Sequence, residues 1–387
     1  MRKIVIASDS FKGSLSSAEV AKAAEAGIRR TIADAETISF QIGDGGEGTS
    51  AILARHIGAE TMHSTVSDPI GRPVEALWYR HGDTAIMEMA AASGLTLLKS
   101  EELNPIRTST YGTGELISAA AAKGCKKFII GIGGSATNDG GTGMLEALGC
   151  RFLDMNGREI RHLCGENLKD IHHIDSSDIH QEVKSSEFII ACDVDAPFIG
   201  PDGATMVFST QKGAKPETME TLEKGMSSLC KLINEEYGID LSATPGSGAA
   251  GGLGGAFMTF LNGKLVKGID LILEISDFEK ALDDADLVIT GEGRIDSQSS
   301  KGKAISGVLA KASQKDIPVI AIAGSVLMTN EEIGQSGFTA VLPIGPAPQN
   351  ESDLEYAMRP EVASKHISET VSKALVSLFP SWFHESL

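Results

Sequence analysis

Short apolar runs that break into glycine and acidic residues recur along this chain, and most are followed by an apolar repeat close to 3.6 residues. Lys3–Ser8 reads as a strand that empties into the polar loop Asp9–Ser14. A helix follows, in which Ser16 and Glu19 form a capping box and Val20, Ala23, Ala24 and Ile28 one apolar face. Thr37–Ile42 is a second strand, leading to Gly43–Gly48 with Asp44 and Glu47 among the glycines, then to a helix through Ile52, Leu53 and Ile57. Phe128–Ile130 runs into Gly131–Gly141 and a helix carrying Met144, Leu145 and Leu148, ended by Gly149. Glu187–Ala191 empties into Cys192-Asp193-Val194-Asp195. Asp286–Ile289 empties into the loop Thr290–Asp296, with a helix from about Lys303. Strands at Pro318–Ala323 and Phe338–Leu342, a helix near Asn330 and a closing helix through Val362, Ile367, Val371 and Leu375 complete the pattern. Strands alternating with helices in this way predict an α/β fold with parallel sheet.

Two regions depart from that alternation. Val74–Tyr79 and Ala85–Met89 read as paired strands joined through His81-Gly82-Asp83, an antiparallel piece that places a domain crossing near residues 65–80. Regular alternation returns near 285, so the expected division is 1–70 with 285–387, and an inserted 71–284. Met206–Phe208 reads as a short strand, and Pro216 opens a long helix with Met219, Leu222, Met226, Leu229 and Ile233 inward. Pro245–Gly255 has no strand before it. It reads as a helix start so dense in glycine that it must approach another backbone or a ligand closely.

Charge and composition narrow the partners. The 387 residues carry a formal net charge of −18, which argues against nucleic acid or an anionic membrane and for a small ligand held by local N–H groups, Lys, Arg and metal. Five cysteines without C-x-x-C spacing imply neither a disulfide framework nor a zinc site and suit a reducing cytoplasm. The apolar run after Met1 is too short for a signal peptide, and no run approaches the length of a membrane span.

The glycine loop after Phe128–Ile130 admits three readings. Gly131-Ile132-Gly133-Gly134-Ser135-Ala136 fits a dinucleotide fingerprint, with Asp154, in a turn, at the spacing of the ribose-binding acid. The loop also suits a nucleotide phosphate with Asp139 for a metal, or a tight turn whose glycines only permit packing. Carboxylates among glycines recur at other expected strand ends: Asp9, Asp44 with Glu47, Asp193 with Asp195, Glu292 with Asp296. Such a set beside a few basic residues describes a magnesium–nucleotide site better than a dinucleotide site, and phosphoryl transfer to a small molecule follows from it. No Walker A motif, kinase signature, H-E-x-x-H or G-x-S-x-G is present.

The motifs DSFKGS at Asp9, IGDGGEGT at Ile42, DPIGRPV at Asp68, TSTYGTGELI at Thr108, GIGGSATNDGGTG at Gly131, CDVDAP at Cys192, FSTQKGA at Phe208, GSGAAGGLGG at Gly246 and ITGEGRIDSQS at Ile289 together resemble the bacterial type I glycerate kinases. The resemblance implies ATP-dependent phosphorylation of D-glycerate, most often at the 2-hydroxyl. It also implies two α/β domains, one Rossmann- or flavodoxin-like and assembled from both chain ends, with the active-site cleft between them. On the strand-end loops and these motifs together, Asp193, Asp296 and Lys12 are the expected catalytic residues. Gly133, Gly134, Ser135, Thr137, Asn138, Lys212, Gly291 and Gly293 are expected at ATP; Asp9, Ser10, Arg72 and Arg294 at substrate; and Asp139, Asp195 and Glu292 at Mg2+. A homodimer is a further expectation. Phosphorylation at the 3-hydroxyl and an NAD-dependent 2-hydroxyacid oxidoreductase are the alternatives.

Overall fold

The computed structural model describes residues 1–43, 48–296 and 304–383. The chain divides into two compact units, one of Met1–Asp44 with Ile269–Leu387, the other of Gly45–Gly268.

The first unit holds a wholly parallel five-stranded sheet in the order Ala340–Pro343, Val319–Val326, Leu287–Ile295, Lys3–Ser8, Glu36–Gln41. Numbered along the unit, this is the flavodoxin order 2-1-3-4-5, whose switch point lies between the Lys3–Ser8 and Leu287–Ile295 strands. Ile4, Val5, Ile6, Leu287 and Val288 have no exposed surface, as expected for central strands of a parallel sheet covered on both faces. The helix Ser17–Thr31 starts at the expected capping box and buries Val20, Ala24 and Ile28. It packs on the closing helix Pro360–Leu378 through Gly27, where any Cβ would lie 2.4 Å from the Ser368 carbonyl oxygen.

The second unit is built on a six-stranded sheet in the order Lys264–Val266, Glu187–Ala191, Lys127–Gly131, Thr84–Glu88, Pro73–His81, Glu60–Ser67. The first four strands are parallel and the last two antiparallel. Phe128 and Phe188 stack from neighbouring strands, ring centroids 4.8 Å apart. A separate antiparallel sheet of Arg151–Leu153, Glu159–Ile160 and His173–Asp175 was not expected, since two or three residues carry no period to read.

Several expectations need correction. The unit boundaries fall at 44/45 and 268/269 instead of 70/71 and 284/285. The antiparallel piece begins earlier, because Glu60–Ser67 pairs along its length with Pro73–His81. The Thr49–Ile57 helix is tied to that sheet by Glu88, whose carboxylate accepts hydrogen bonds from the Gly48 and Ser50 amides and the Ser50 hydroxyl. At the other crossing, Phe278 sets its ring edge-to-face on Phe40 at 5.2 Å, which places it in the first unit. Met206–Phe208 lies in a helix, Ala204–Phe208, and the loop expected at Thr290–Asp296 is strand as far as Ile295. The last strand is Ala340–Pro343, two residues later at its start than expected. Asp44 and Glu47 lie outside the described residues. Among the described residues no helix is long and apolar enough to cross a membrane.

Candidate active site

The glycine loop of the second unit is folded onto a second glycine-rich segment. The Lys127–Gly131 strand is followed by ten residues before the short helix Thr142–Ala147, so Gly131, Gly133 and Gly134 do not open a helix as a dinucleotide fingerprint requires. Asp154 accepts the Asn156 and Arg158 amides within its own turn. These two facts remove the dinucleotide reading. The helix Ala249–Phe260 contains three consecutive left-handed residues, Ala250, Gly251 and Gly252, at φ 53°, 70° and 98°. That kink lays Gly251 on the loop, with its carbonyl accepting the Gly140 amide at 2.9 Å. A Cβ on Gly251 would lie 2.1 Å from the Thr137 carbonyl oxygen, and one on Gly252 2.7 Å from the Gly140 Cα. Glycine is therefore required at both places for backbone to meet backbone.

The side chains expected at ATP in this loop are turned to internal use. Ser135, Thr137 and Asn138 are buried. The Ser135 hydroxyl accepts the Thr137 amide, and the Asn138 amide donates to the Thr205 hydroxyl. Only Gly133 and Gly134 reach the surface of the segment Gly131–Gly140. Asp139, expected at Mg2+, is fully buried and accepts four hydrogen bonds, from the Thr110 amide and hydroxyl and the Gly141 and Gly143 amides. Burial pushes its carboxyl up, and those bonds pull it back. A carboxylate so occupied is a brace between the Thr108–Thr113 loop and the glycine loop, and it does not suit a metal ligand.

Lys212 is 2% exposed, an uncommon fate for lysine. Its Nζ donates to the Thr137 carbonyl at 2.7 Å and the Ser135 hydroxyl at 3.3 Å. Burial pushes its amine down to about 7, against the charge of Asp139, which raises it. Lys212 thus lies beneath the loop on which it was expected to meet a phosphate. Arg72 is likewise engaged, donating to Asp68 at 2.6 Å and Glu102 at 2.8 Å, and these partners hold its guanidinium above its ordinary range. At the end of the Glu187–Ala191 strand, Asp193 and Asp195 are exposed, and Asp193 accepts the Gly268 amide at 2.9 Å.

In the first unit the expected residues do converge. Asp9 and Glu292 sit at the carboxyl ends of the two strands that flank the switch point, in register through Ser8 and Gly291. They are 7% and 8% exposed. The Asp9 amide donates to the Gly291 carbonyl at 2.9 Å, and its carboxylate accepts the Ser10 amide at 2.6 Å. Gly291 packs against the next strand, where a Cβ would lie 2.5 Å from the Ile322 carbonyl oxygen, so a packing role explains it. Gly293 is different: the nearest atom to an added Cβ is the Lys12 amide nitrogen at 3.5 Å. Lys12 is exposed beside it, and Arg294 and Asp296 form an ion pair at 3.8 Å. Among the described residues no three His, Cys, Asp or Glu side chains are grouped to hold a metal. Magnesium, however, commonly takes one or two carboxylates and keeps its waters, a requirement that Asp9 and Glu292 fit.

Glu88, Thr110 and Glu115 were assigned no role from the sequence, although Thr110 and Glu115 fall in the TSTYGTGELI motif. Glu115 accepts the Ser67 amide, and Thr110 both donates to Asp139 and accepts the Met144 amide. The hydroxyl-rich run Thr108–Thr113 was an available signal for Thr110.

A flavodoxin-ordered sheet with carboxylates and glycine at its carboxyl edge is an α/β architecture of the kind that takes ligands at that edge. Residues 4–378 match the model of the glycerate kinase family. The chain is 46% identical over 346 residues to a glycerate kinase of Bacillus subtilis (strain 168), covering 89% of this chain and 90% of the relative. It is 45% identical over 345 residues to the glycerate 2-kinase of Escherichia coli (strain K12), covering 88% and 90%. A crystal structure of a Salmonella typhimurium LT2 protein assigned as glycerate kinase 2 superposes with a TM-score of 0.85 at 40% identity, covering 99% of both chains. The chain belongs to the glycerate kinase family. It is a phosphotransferase with an alcohol group of glycerate as acceptor.

Proposed function

We propose that the enzyme transfers the γ-phosphoryl group of ATP to the 2-hydroxyl of D-glycerate, giving 2-phosphoglycerate and ADP. The observation that carries the reading is the strand-end cluster of Asp9, Ser10, Lys12, Glu292 and Gly293 on a family-matched chain. In the transfer, the hydroxyl oxygen bonds to the γ-phosphorus, the bond to the β–γ bridging oxygen breaks, and the hydroxyl proton passes to a carboxylate. Asp296 in the first unit and Asp193 in the second are the two candidate bases. Lys12 supplies positive charge to the transferring group, with Arg294 in reserve for the glycerate carboxylate. Asp9 and Glu292 would hold Mg2+, which supplies charge neutralisation on the phosphates when bound.

A phosphorus NMR spectrum of the product decides the hydroxyl. A 2-phosphoglycerate resonance is expected, and 3-phosphoglycerate as the first-formed product would sink the regiochemistry. Loss of a general base costs about 10²- to 10⁴-fold in rate. Asp193→Asn and Asp296→Asn should divide on that scale, and near wild-type turnover in both would remove them from the chemistry.

A further inference from the structure

We infer that a cavity at the carboxyl edge of the first unit's sheet receives the adenine base of ATP, an inference that rests on the kinase reading above. The cavity measures about 390 Å³, within the range of small-molecule sites. Its walls are apolar, formed by Phe11, Ile344, Pro346, Leu354, Met358 and Ala363. Three further lining residues are glycines at the ends of three neighbouring strands: Gly293, Gly324 and, just past Pro343, Gly345. An added Cβ on Gly324 would lie 2.8 Å from the Gly293 carbonyl oxygen, and one on Gly345 2.7 Å from His366 Nδ1. At the Lys12–Ser14 turn, a Cβ on Gly13 would lie 2.9 Å from Met358 Cε. Bare backbone at these points keeps the lining smooth, and His366, Ser325 and Ser14 add a few polar groups.

The occupant follows from shape and chemistry. Glycerate has three carbons, a carboxylate and two hydroxyls, and would leave an apolar space of this size largely unfilled. A purine is flat, mostly apolar on its faces and polar only at its edge, which matches apolar walls with sparse polar groups. Lys12 and Gly293 line this cavity and also belong to the cluster proposed for phosphate transfer. A nucleotide whose base fills the cavity therefore presents its phosphates to the same strand ends.

Three measurements on the full-length enzyme test this. Leu354, exposed on the short helix Glu351–Ala357, is replaced by Trp to fill the cavity from its open side. Leu354→Trp should raise KM for ATP about tenfold more than KM for glycerate. Adenosine, which carries no phosphate, should bind wild type by calorimetry and lose that binding in Leu354→Trp. Photolabelling of the wild type with 8-azido-ATP, which needs no variant to fold, should attach to peptides spanning 344–366. Labelling confined to the second unit, or unchanged adenosine binding in a folded Leu354→Trp, would overturn the inference while the kinase reading stands. Absence of phosphoryl transfer by wild type would instead remove that reading, and adenosine binding and labelling would still decide the cavity.

Discussion

The molecule uses glycine-rich sequence in two opposite ways. In the second unit, Gly140, Gly251 and Gly252 are consumed by backbone meeting backbone, and the polar residues among them are buried and bonded to one another. In the first unit, Gly293, Gly324 and Gly345 line a cavity. Both regions are rich in glycine and hydroxyls. The difference is sharpest between Gly251, whose added Cβ would lie 2.1 Å from the Thr137 carbonyl oxygen, and Gly293, whose added Cβ would meet nothing closer than the Lys12 amide nitrogen at 3.5 Å. A glycine loop is thus evidence of close approach, and only the structure says whether protein or ligand does the approaching.

Substitutions can break this comparison. Gly251→Ala should be the most damaging, since the new methyl collides with the Thr137 carbonyl at a left-handed φ of 70°. Overpacking plus the left-handed penalty sum to about 2–5 kcal/mol. Denaturant unfolding checks this, and an unchanged midpoint would show that the two segments are not packed as described.

Lys212→Met removes a buried amine whose folded pKa, about 7, lies below its ordinary 10.5. In that interval the unfolded chain binds more protons than the folded one, so stability rises with pH. The cost of burying the charged lysine is fully present below pH 7 and fades towards pH 10.5. Wild type should therefore gain stability on Lys212→Met across that window, by a few kcal/mol at most. A difference in unfolding free energy that stays flat with pH would contradict the burial.

Gly134→Ala should cost about 1 kcal/mol through its left-handed φ of 73°, because a Cβ there meets only the Ala90 Cβ at 3.4 Å. If the exposed Gly133–Gly134 turn still serves an anion, the same change weakens ATP or glycerate binding beyond that loss of stability. Gly293→Ala should be the mildest for the fold, within about 0.5 kcal/mol, since the position has room and an ordinary φ. Its effect should fall on KM for ATP. A reversal, with Gly293→Ala unfolding the protein and Gly251→Ala only weakening ATP, would overturn the contrast.

Much of the fold was legible because its strands carry long apolar runs: Ile4–Ala7, Phe128–Ile130 and Phe188–Ala191 each lie where the pattern placed them. The early crossing was not legible. Glu60–Ser67 has only Met62 and Val66 as apolar residues, and its place is set by its partner strand and by Glu115, which accepts the Ser67 amide, rather than by its own pattern. For the site, the residue types at Asp9, Lys12 and Glu292 pointed to the strand ends where they are found. Asp139 and Lys212 misled for one reason: a charged side chain in a polar, glycine-rich stretch looks solvent-facing until the covering segment is seen, Thr110 and the start of the Thr142–Ala147 helix over Asp139 and the glycine loop itself over Lys212.

The first unit's discontinuity also bears on how the protein is made. Lys3–Ser8, a central strand, pairs on one side with Leu287–Ile295. Roughly 280 residues separate those partners, so at synthesis rates of about 5–20 residues per second the early strand waits on the order of 14–56 s for its neighbour. The inserted unit, continuous from Gly45 to Gly268, emerges whole within that interval. Nascent chains arrested far enough past Gly268 for the inserted unit to clear the ribosome should therefore resist protease across that unit while their first forty residues are cleaved.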